Sequence, residues 1–452
     1  MTNSNDQNPM YKLSIWTIAV PVFIDFLLTF SLFFTDSFFL SRISDTAAAS
    51  VGAVIPVFMI SVLFFMMLAQ GGANIAGQYL GGKQMDKALE TYTGTLFINS
   101  VVGIVLGAIL FFTAFDITAL LGLSGEGLNY SGTYLKYISI ALILTAIKYA
   151  LSSVCTSQGQ TILNMYAGIL MNIINIVLCG IFIYGMNLGI YSVIFATIIA
   201  QFVGVIYFWI MVHKKLNVNY DFNKYMASFK SINLNILKIG IPSSIQPIST
   251  ELGALIIATF AIHLGENELA ARVYVMNLLT LAICWASAMA IGNQVLVAHR
   301  VGANMLEDAK LVLNKNIKIS VIGSILIAIV LYFSSDIILR IFTSNEEVIQ
   351  MGKLMFLVGF LIEPFRSIST LMDFALKASG DATFPAVWSV IITWIVAVPS
   401  AYFLGIYLEL GIAGLWLGLA IDEGLRSIIN SYRWYSNKWW NKGVLAKKQV
   451  TS

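Results

Sequence analysis

The chain has 452 residues, 58% of them hydrophobic and only 11% charged, where soluble domains carry about 25% charge. With many apolar runs of bilayer-spanning length, this excludes a soluble globular protein and predicts an all-α polytopic membrane protein. The net charge of +3 is uninformative as a sum, but the positions of the basic residues are not.

The first dozen residues are polar, and the apolar run that follows is too long for a signal-peptide core. No small-residue cleavage site comes after it, so a retained helix is expected. That run, residues 16–41, contains Pro21, Asp25 and Asp36. It can cross a hydrocarbon core of about 30 Å. A carboxylate in such a helix costs roughly 2.5–3.5 kcal/mol on insertion scales, so two of them suggest a polar lumen on one side. At about 100° per residue the two acids return to within roughly 20° of each other and can face one cavity. The alternative is that Asp36 lies near the outer membrane face and Asp25 holds a polar contact with a neighbouring helix.

About twelve spans are predicted, at 13–40, 48–78, 88–115, 131–156, 163–184, 187–212, 237–263, 268–297, 308–334, 348–377, 383–405 and 410–433. Cytoplasmic loops carry an excess of Lys and Arg. The connections after the second, sixth and eighth spans hold Lys83 and Lys87, then Lys214, Lys215, Lys224, Lys230 and Lys238, then Arg300 and Lys310. The tail adds Arg433, Lys438, Lys442, Lys447 and Lys448, while residues 115–130 have no basic residue. Both termini are therefore expected in the cytoplasm.

The halves repeat. Pro21 in AVPVFI matches Pro242 in GIPSSI, Gly81 in QYLGGK matches Gly302 in HRVGAN, and Gly159 in TSQGQT matches Gly380 in KASGDA, all at an offset of 221. An even number of spans per half makes the repeats parallel, a common plan among transporters. The predicted domains are an N-terminal six-helix lobe at 13–212, a cytoplasmic connector at 213–236, a C-terminal six-helix lobe at 237–433 and a basic cytoplasmic tail at 434–452. In LGGK, a glycine is expected to end the helix in a left-handed conformation. No GxxxxGK[ST] loop occurs, which argues against ATP hydrolysis.

Other ionisable residues sit inside predicted spans. Lys148, near mid-span, has no acid at i±3 or i±4, so a partner on another helix is expected, with Asp25 and Asp36 the nearest candidates. Glu251, nine residues after Pro242, reads as a lone buried carboxylate able to carry a proton, or as one satisfied by a neighbouring hydroxyl or amide. Glu363 with Arg366 and Asp373 with Lys377 have helical pair spacing, which suits either structural salt bridges or a role in coupling. Asp422, Glu423 and Arg426 are expected to include an i,i+4 pair. Cys155, Cys179 and Cys284 lie singly in apolar segments without disulfide or zinc spacing. The three histidines form no metal motif, and no hydrolase triad is evident, so an enzyme is not expected.

Several stretches then resemble one family. TDSFFLSRISDTAAASVG after Pro21, AQGGANIAGQYLGGKQMDKA, MNIINIVLCGIFIYG, IGNQVLVAHRVGAN and EPFRSISTLMDFALKASGDATFP are similar to the multidrug and toxic compound extrusion (MATE) transporters, in their bacterial DinF-related branch. The similarity runs from about residue 13 to 433. It implies two six-helix lobes facing one another in a V, and antiport of organic compounds against H⁺ or Na⁺. The family's first-helix acid falls on Asp36, and its paired fifth-helix asparagines on Asn172 and Asn175. Asp25 is outside the pattern. Cys179 stands where several members have Asp or Asn, and Glu251 is one residue beyond the glutamate of other branches, which turns it by about 100°.

The function expected is secondary active export of small organic, cationic or amphipathic compounds by alternating access, with Pro21 as a hinge. The coupling set comprises Asp36, Asp25, Asn172, Asn175 and Lys148, with Glu251, Glu363, Arg366 and Asp373 as C-lobe candidates. Sodium wants several oxygen ligands, and a thiol at Cys179 is a poor one, so H⁺ is the expected coupling ion and Na⁺ the alternative. No cofactor, metal or nucleic-acid partner is expected; a monomer in the bacterial inner membrane is. The rival readings are a lipid-linked oligosaccharide flippase, which would need a strongly basic cavity, and a channel or sensor.

Overall fold

The structure is a computed structural model that describes residues 13–446; Lys447, Lys448 and the polar first dozen residues lie outside the described residues. Among the described residues the regular structure is entirely helical. The first half contains α1 (Ile15–Ser41), α2 (Asp45–Gly81), α3 (Met85–Leu120), α4 (Gly125–Ser157), α5 (Ile162–Gly180) and α6 (Tyr191–Lys214). A short α7 (Phe222–Ala227) precedes α8 (Phe229–Leu264), α9 (Glu266–Gly302), α10 (Leu306–Phe333), α11 (Ser335–Phe342) and α12 (Glu346–Ala378). The last stretch is α13 (Thr383–Ile392), α14 (Val398–Tyr402) and α15 (Gly411–Tyr435), with π-helical turns on either side of α14. Among the described residues, eleven helical stretches are long and apolar enough to cross a membrane. The twelfth expected span, 410–433, corresponds to α15, in which Asp422, Glu423 and Arg426 interrupt the apolar run.

The repeat is visible in the helix ends. Both ends of α2 and α9, the starts of α3 and α10, the ends of α4 and α12 and the ends of α6 and α15 are each 221 residues apart. The turns repeat as well: Lys83 and Asn304 take φ of 57° and 60°, and Gly159 and Gly380 take 69° and 92°. In LGGK the left-handed residue is therefore Lys83, not a glycine as the sequence suggested. Gly81 has a different reason to be small. A Cβ there would run into the backbone carbonyl of His299, so the turn can pack only if that position is bare.

Two compact units result. One comprises residues 20–80 and 84–241; the other comprises the described residues up to 19, residues 81–83 and the described residues from 242 on. Both α1 and α8 change unit within two residues of their repeat-matched prolines, Pro21 and Pro242. In the first unit α4 packs between α3 and α6, and α6 also lies along α5. In the second, α12 is central and packs on α9, α10 and α15. Small residues allow close approach, as at Gly71, where a Cβ would stand 3.0 Å from the backbone nitrogen of Gly240. Lipid is as apolar as leucine, so such close packing and internal hydrogen bonds, more than hydrophobic transfer, hold the helices together.

The connector at 213–236 contains a short helix. Its α7, capped by the Asp221 side chain accepting from the Lys224 amide at 3.0 Å, buries Tyr225. Phe222, Tyr225 and Phe229 then gather around Phe97 of α3 at ring-centroid distances of 5.7–6.4 Å. These tilted and edge-on aromatic contacts hold the connector against α3. The tail likewise begins inside the protein: Trp434 and Trp439 are fully buried, and their rings stack 4.1 Å apart.

Candidate functional site

The site in the first unit is assembled along one face of α5. Gly168, Asn172, Asn175 and Cys179 follow at helical spacing, so they form one polar strip. Asp25 of α1 lies against the start of that strip, and a Cβ on Gly168 would stand 2.7 Å from its Oδ1. Eleven residues on, Asp36 is 8% exposed and lies beside Asn175, with Tyr134 and Cys179 within its electrostatic reach. The two acids thus meet the same neighbouring helices at different depths, in keeping with their angular spacing.

The hydrogen-bond pattern leaves oxygens idle. Asn172 donates its amide to the Gly168 carbonyl at 2.9 Å, and Asn175 donates to Thr197 Oγ1 of α6 at 3.1 Å. The Cys179 thiol points at Asn175 Oδ1, 3.9 Å away. Asp36 Oδ1, Asn172 Oδ1 and, one turn along α6 from Thr197, Gln201 Oε1 are buried with no donor. Buried acceptors are almost always satisfied; a set of them suits a proton or a hard cation arriving from outside. The acceptors from α1 and α5 were foreseen from sequence. Tyr134, Thr197 and Gln201 were not, although the i,i+4 spacing of Thr197 and Gln201 in an apolar helix was a usable signal.

For Lys148 the sequence leads to a partner on another helix, with Asp25 and Asp36 as candidates. Its ammonium stands 4.6 Å from the Tyr149 ring centroid. Asp25, rather than Asp36, acts on it electrostatically, without an ion pair forming among the described residues.

In the second unit, Glu251 corrects the reading of a lone buried carboxylate. It is exposed and feels the charge of Arg272 on α9, whose guanidinium also donates to the Ala254 carbonyl at 3.3 Å. A basic residue on another helix could not be assigned to Glu251 from spacing. The spaced pairs do form: Glu363–Arg366 at 3.0 Å, Asp373–Lys377 at 2.7 Å and Asp422–Arg426 at 2.8 Å. They also connect. Arg366 reaches Glu423 of α15 at 3.4 Å, and Ser369 donates to the other Glu423 oxygen at 2.5 Å. Arg426 donates to Thr393 at 2.7 Å and to Ser389. Glu363 Oε2 and Asp373 Oδ1 remain without donors. Thus α12 and α15 share a buried ladder of charges.

A helical membrane protein built of two repeats, with a buried acid–amide cluster in the first, is a multi-pass transporter. The MatE family model matches residues 21–181 and again 242–403, its two starts 221 residues apart. The chain belongs to the MatE family. It is 29% identical to the "Uncharacterized transporter YisQ" of Bacillus subtilis, over 95% of this chain and 96% of that one. It is 23% identical to the "Probable multidrug resistance protein NorM" of Thermotoga maritima, covering 98% and 97%. A crystal structure of a MATE protein in its bent conformation superposes with a TM-score of 0.89 at 19% identity, covering all of both chains. A MOP superfamily transporter from Pyrococcus furiosus gives 0.86 at 19% identity, covering 94% and 95%. The family consists of membrane transporters, not enzymes.

Proposed function

We propose that this protein is a secondary antiporter that exports small organic compounds across the plasma membrane in exchange for protons, with Asp36 as the group that carries the exchanged charge. The observation that carries this reading is the Asp36 carboxyl itself: buried, one oxygen without a donor, and no ion-pair partner among the described residues. A charged carboxylate so placed is expensive in a lipid-spanning helix, and one proton removes the cost. Substrate and proton then need only compete for the same arrangement of α1 against α5. Pro21 supports a flexing role for α1, because it leaves a carbonyl one turn earlier unpaired and lies where the helix passes from one unit to the other. The lysine distribution favours cytoplasmic termini, and the multidrug names of relatives favour a broad organic substrate range.

Sodium is the second reading, because the idle oxygens of Asn172 and Gln201 are acceptors that a proton on Asp36 does not use. Everted vesicles loaded with separately imposed pH and Na⁺ gradients distinguish the two. Proton coupling predicts efflux driven by the pH gradient and abolished in Asp36→Asn, with that variant still reaching the membrane. Efflux sustained by a Na⁺ gradient at fixed pH with protonophore present assigns Na⁺, and normal transport by Asp36→Asn removes Asp36 from the mechanism. A flippase or channel would respond to neither gradient with uphill export.

A further inference from the structure

We propose that the face of the C-terminal unit formed by the start of α10 and the end of α15 binds the headgroups of anionic phospholipids. On α10, Leu311, Ile322 and Leu326 are 57–67% exposed and follow one another on a single outward stripe. Lys315 and Lys318 occupy the same stripe between them, both exposed. On α15 the outward stripe of Ile428, Tyr432 and Tyr435 ends the same way, in exposed Lys438 and Lys442. The two ends adjoin. Tyr435 donates its hydroxyl to Asn314 Oδ1 at 2.7 Å, Lys310 lies 4.7 Å over the Trp440 ring, and Lys438 folds back over Tyr432.

Nearby acids are committed elsewhere: Glu307 pairs with Lys310, Asp308 with Arg300 and Asp381 with Arg433. The four outward lysines form no ion pair among the described residues. Apolar stripes that end in unneutralised lysines beside Tyr and Trp match acyl chains below and phosphodiesters above. The internal repeat sharpens the point. At the offset of 221, Lys315 and Lys318 correspond to Gly94 and Phe97 of α3. In the first unit that face is covered by protein, since Phe222, Tyr225 and Phe229 pack on Phe97 and a Cβ on Gly94 would meet Ile232 at 2.8 Å. In the second unit the same face is bare and basic.

The test uses the full-length chain in bilayer nanodiscs of mixed phosphatidylglycerol and phosphatidylcholine, with native mass spectrometry counting the lipids that remain bound. Wild type is expected to retain phosphatidylglycerol preferentially. The combined variant Lys315→Gln/Lys318→Gln/Lys438→Gln/Lys442→Gln is expected to lower that preference by about tenfold or more, and the four Lys→Arg changes to keep it. Lys315→Gln/Lys318→Gln alone, on an outward face that supports no packing, is expected to lower it several-fold. No preference in wild type, an unchanged preference in the Gln variants, or displacement of the lipid by soluble glycerol phosphate would each overturn the proposal.

Discussion

Arg366→Met isolates the energetic logic of the charge ladder in the second unit. Arg366 stands between two carboxylates, with Nη1 3.0 Å from Glu363 and Nε 3.4 Å from Glu423. Glu363 has no solvent exposure and Glu423 little, and Arg366 is the only cation within ion-pair distance of either among the described residues. Removing one member of a buried pair typically costs about 3–5 kcal/mol, because the remaining charge is left uncompensated. Replacing both members by apolar groups of similar size is often close to neutral. Glu423 keeps its Ser369 donor and is the more exposed of the two acids, so the penalty falls mainly on Glu363.

Arg366→Met should therefore lower stability by about 3–5 kcal/mol, and the double variant Arg366→Met/Glu363→Leu should recover at least about 2 kcal/mol of that loss. Equilibrium unfolding by denaturing detergent in mixed micelles gives both numbers, and the double-mutant cycle gives the coupling. Additive losses would refute the reasoning: they would mean that the charge at Glu363 is solvated or neutral and that Arg366 contributes through packing alone.

Three further outcomes follow from single contacts. Gly168→Ala places a methyl 2.7 Å from Asp25 Oδ1 and should displace that carboxylate, reducing gradient-driven efflux while leaving membrane expression intact; unchanged efflux would separate Asp25 from transport. Cys179→Asp supplies an oxygen beside Asn175 and Asp36 and should make efflux responsive to a Na⁺ gradient, whereas a variant as indifferent to Na⁺ as its parent would count against a cation cage there. Trp439→Ala removes a fully buried ring from its stack on Trp434 and should cost about 3–5 kcal/mol, read as a lowered midpoint in the same unfolding assay; no change would mean the tail packs without consequence for the unit.

How much of this was legible in the sequence depended on whether a feature is local to one helix. The offset of 221 was readable because proline and glycine punctuate helices, and the helix ends fall at that same offset. The pairs Asp373–Lys377 and Asp422–Arg426 were readable because both partners ride one helix. What lies across a helix interface was not. Arg272 acts on Glu251 from α9, Tyr134 on α4 lies within the electrostatic reach of Asp36, and Glu423 joins Arg366 from α15; one-dimensional spacing fixes a helix face but not the residue opposite it. The connector contacts are of the same kind: Phe222, Tyr225 and Phe229 share one target, Phe97, more than a hundred residues away in the chain.

The two units also solve the problem of buried charge in opposite ways, and this bears on where coupling resides. In the second unit, protonating Asp373 or Asp422 means giving up an ion pair at 2.7 or 2.8 Å, and the released Lys377 or Arg426 would then be the uncompensated charge. The cost is moved, not removed. In the first unit Asp36 has no ion-pair partner among the described residues, and its Oδ1 has no donor. Loading it with a proton or a cation breaks no existing bond and satisfies a group that is otherwise unsatisfied. A transporter must load and unload its coupling ion in every cycle, so it needs a site where both states are affordable. On the proposed proton-coupled mechanism, the first unit is therefore the one whose charge would change, while the second keeps its charges paired.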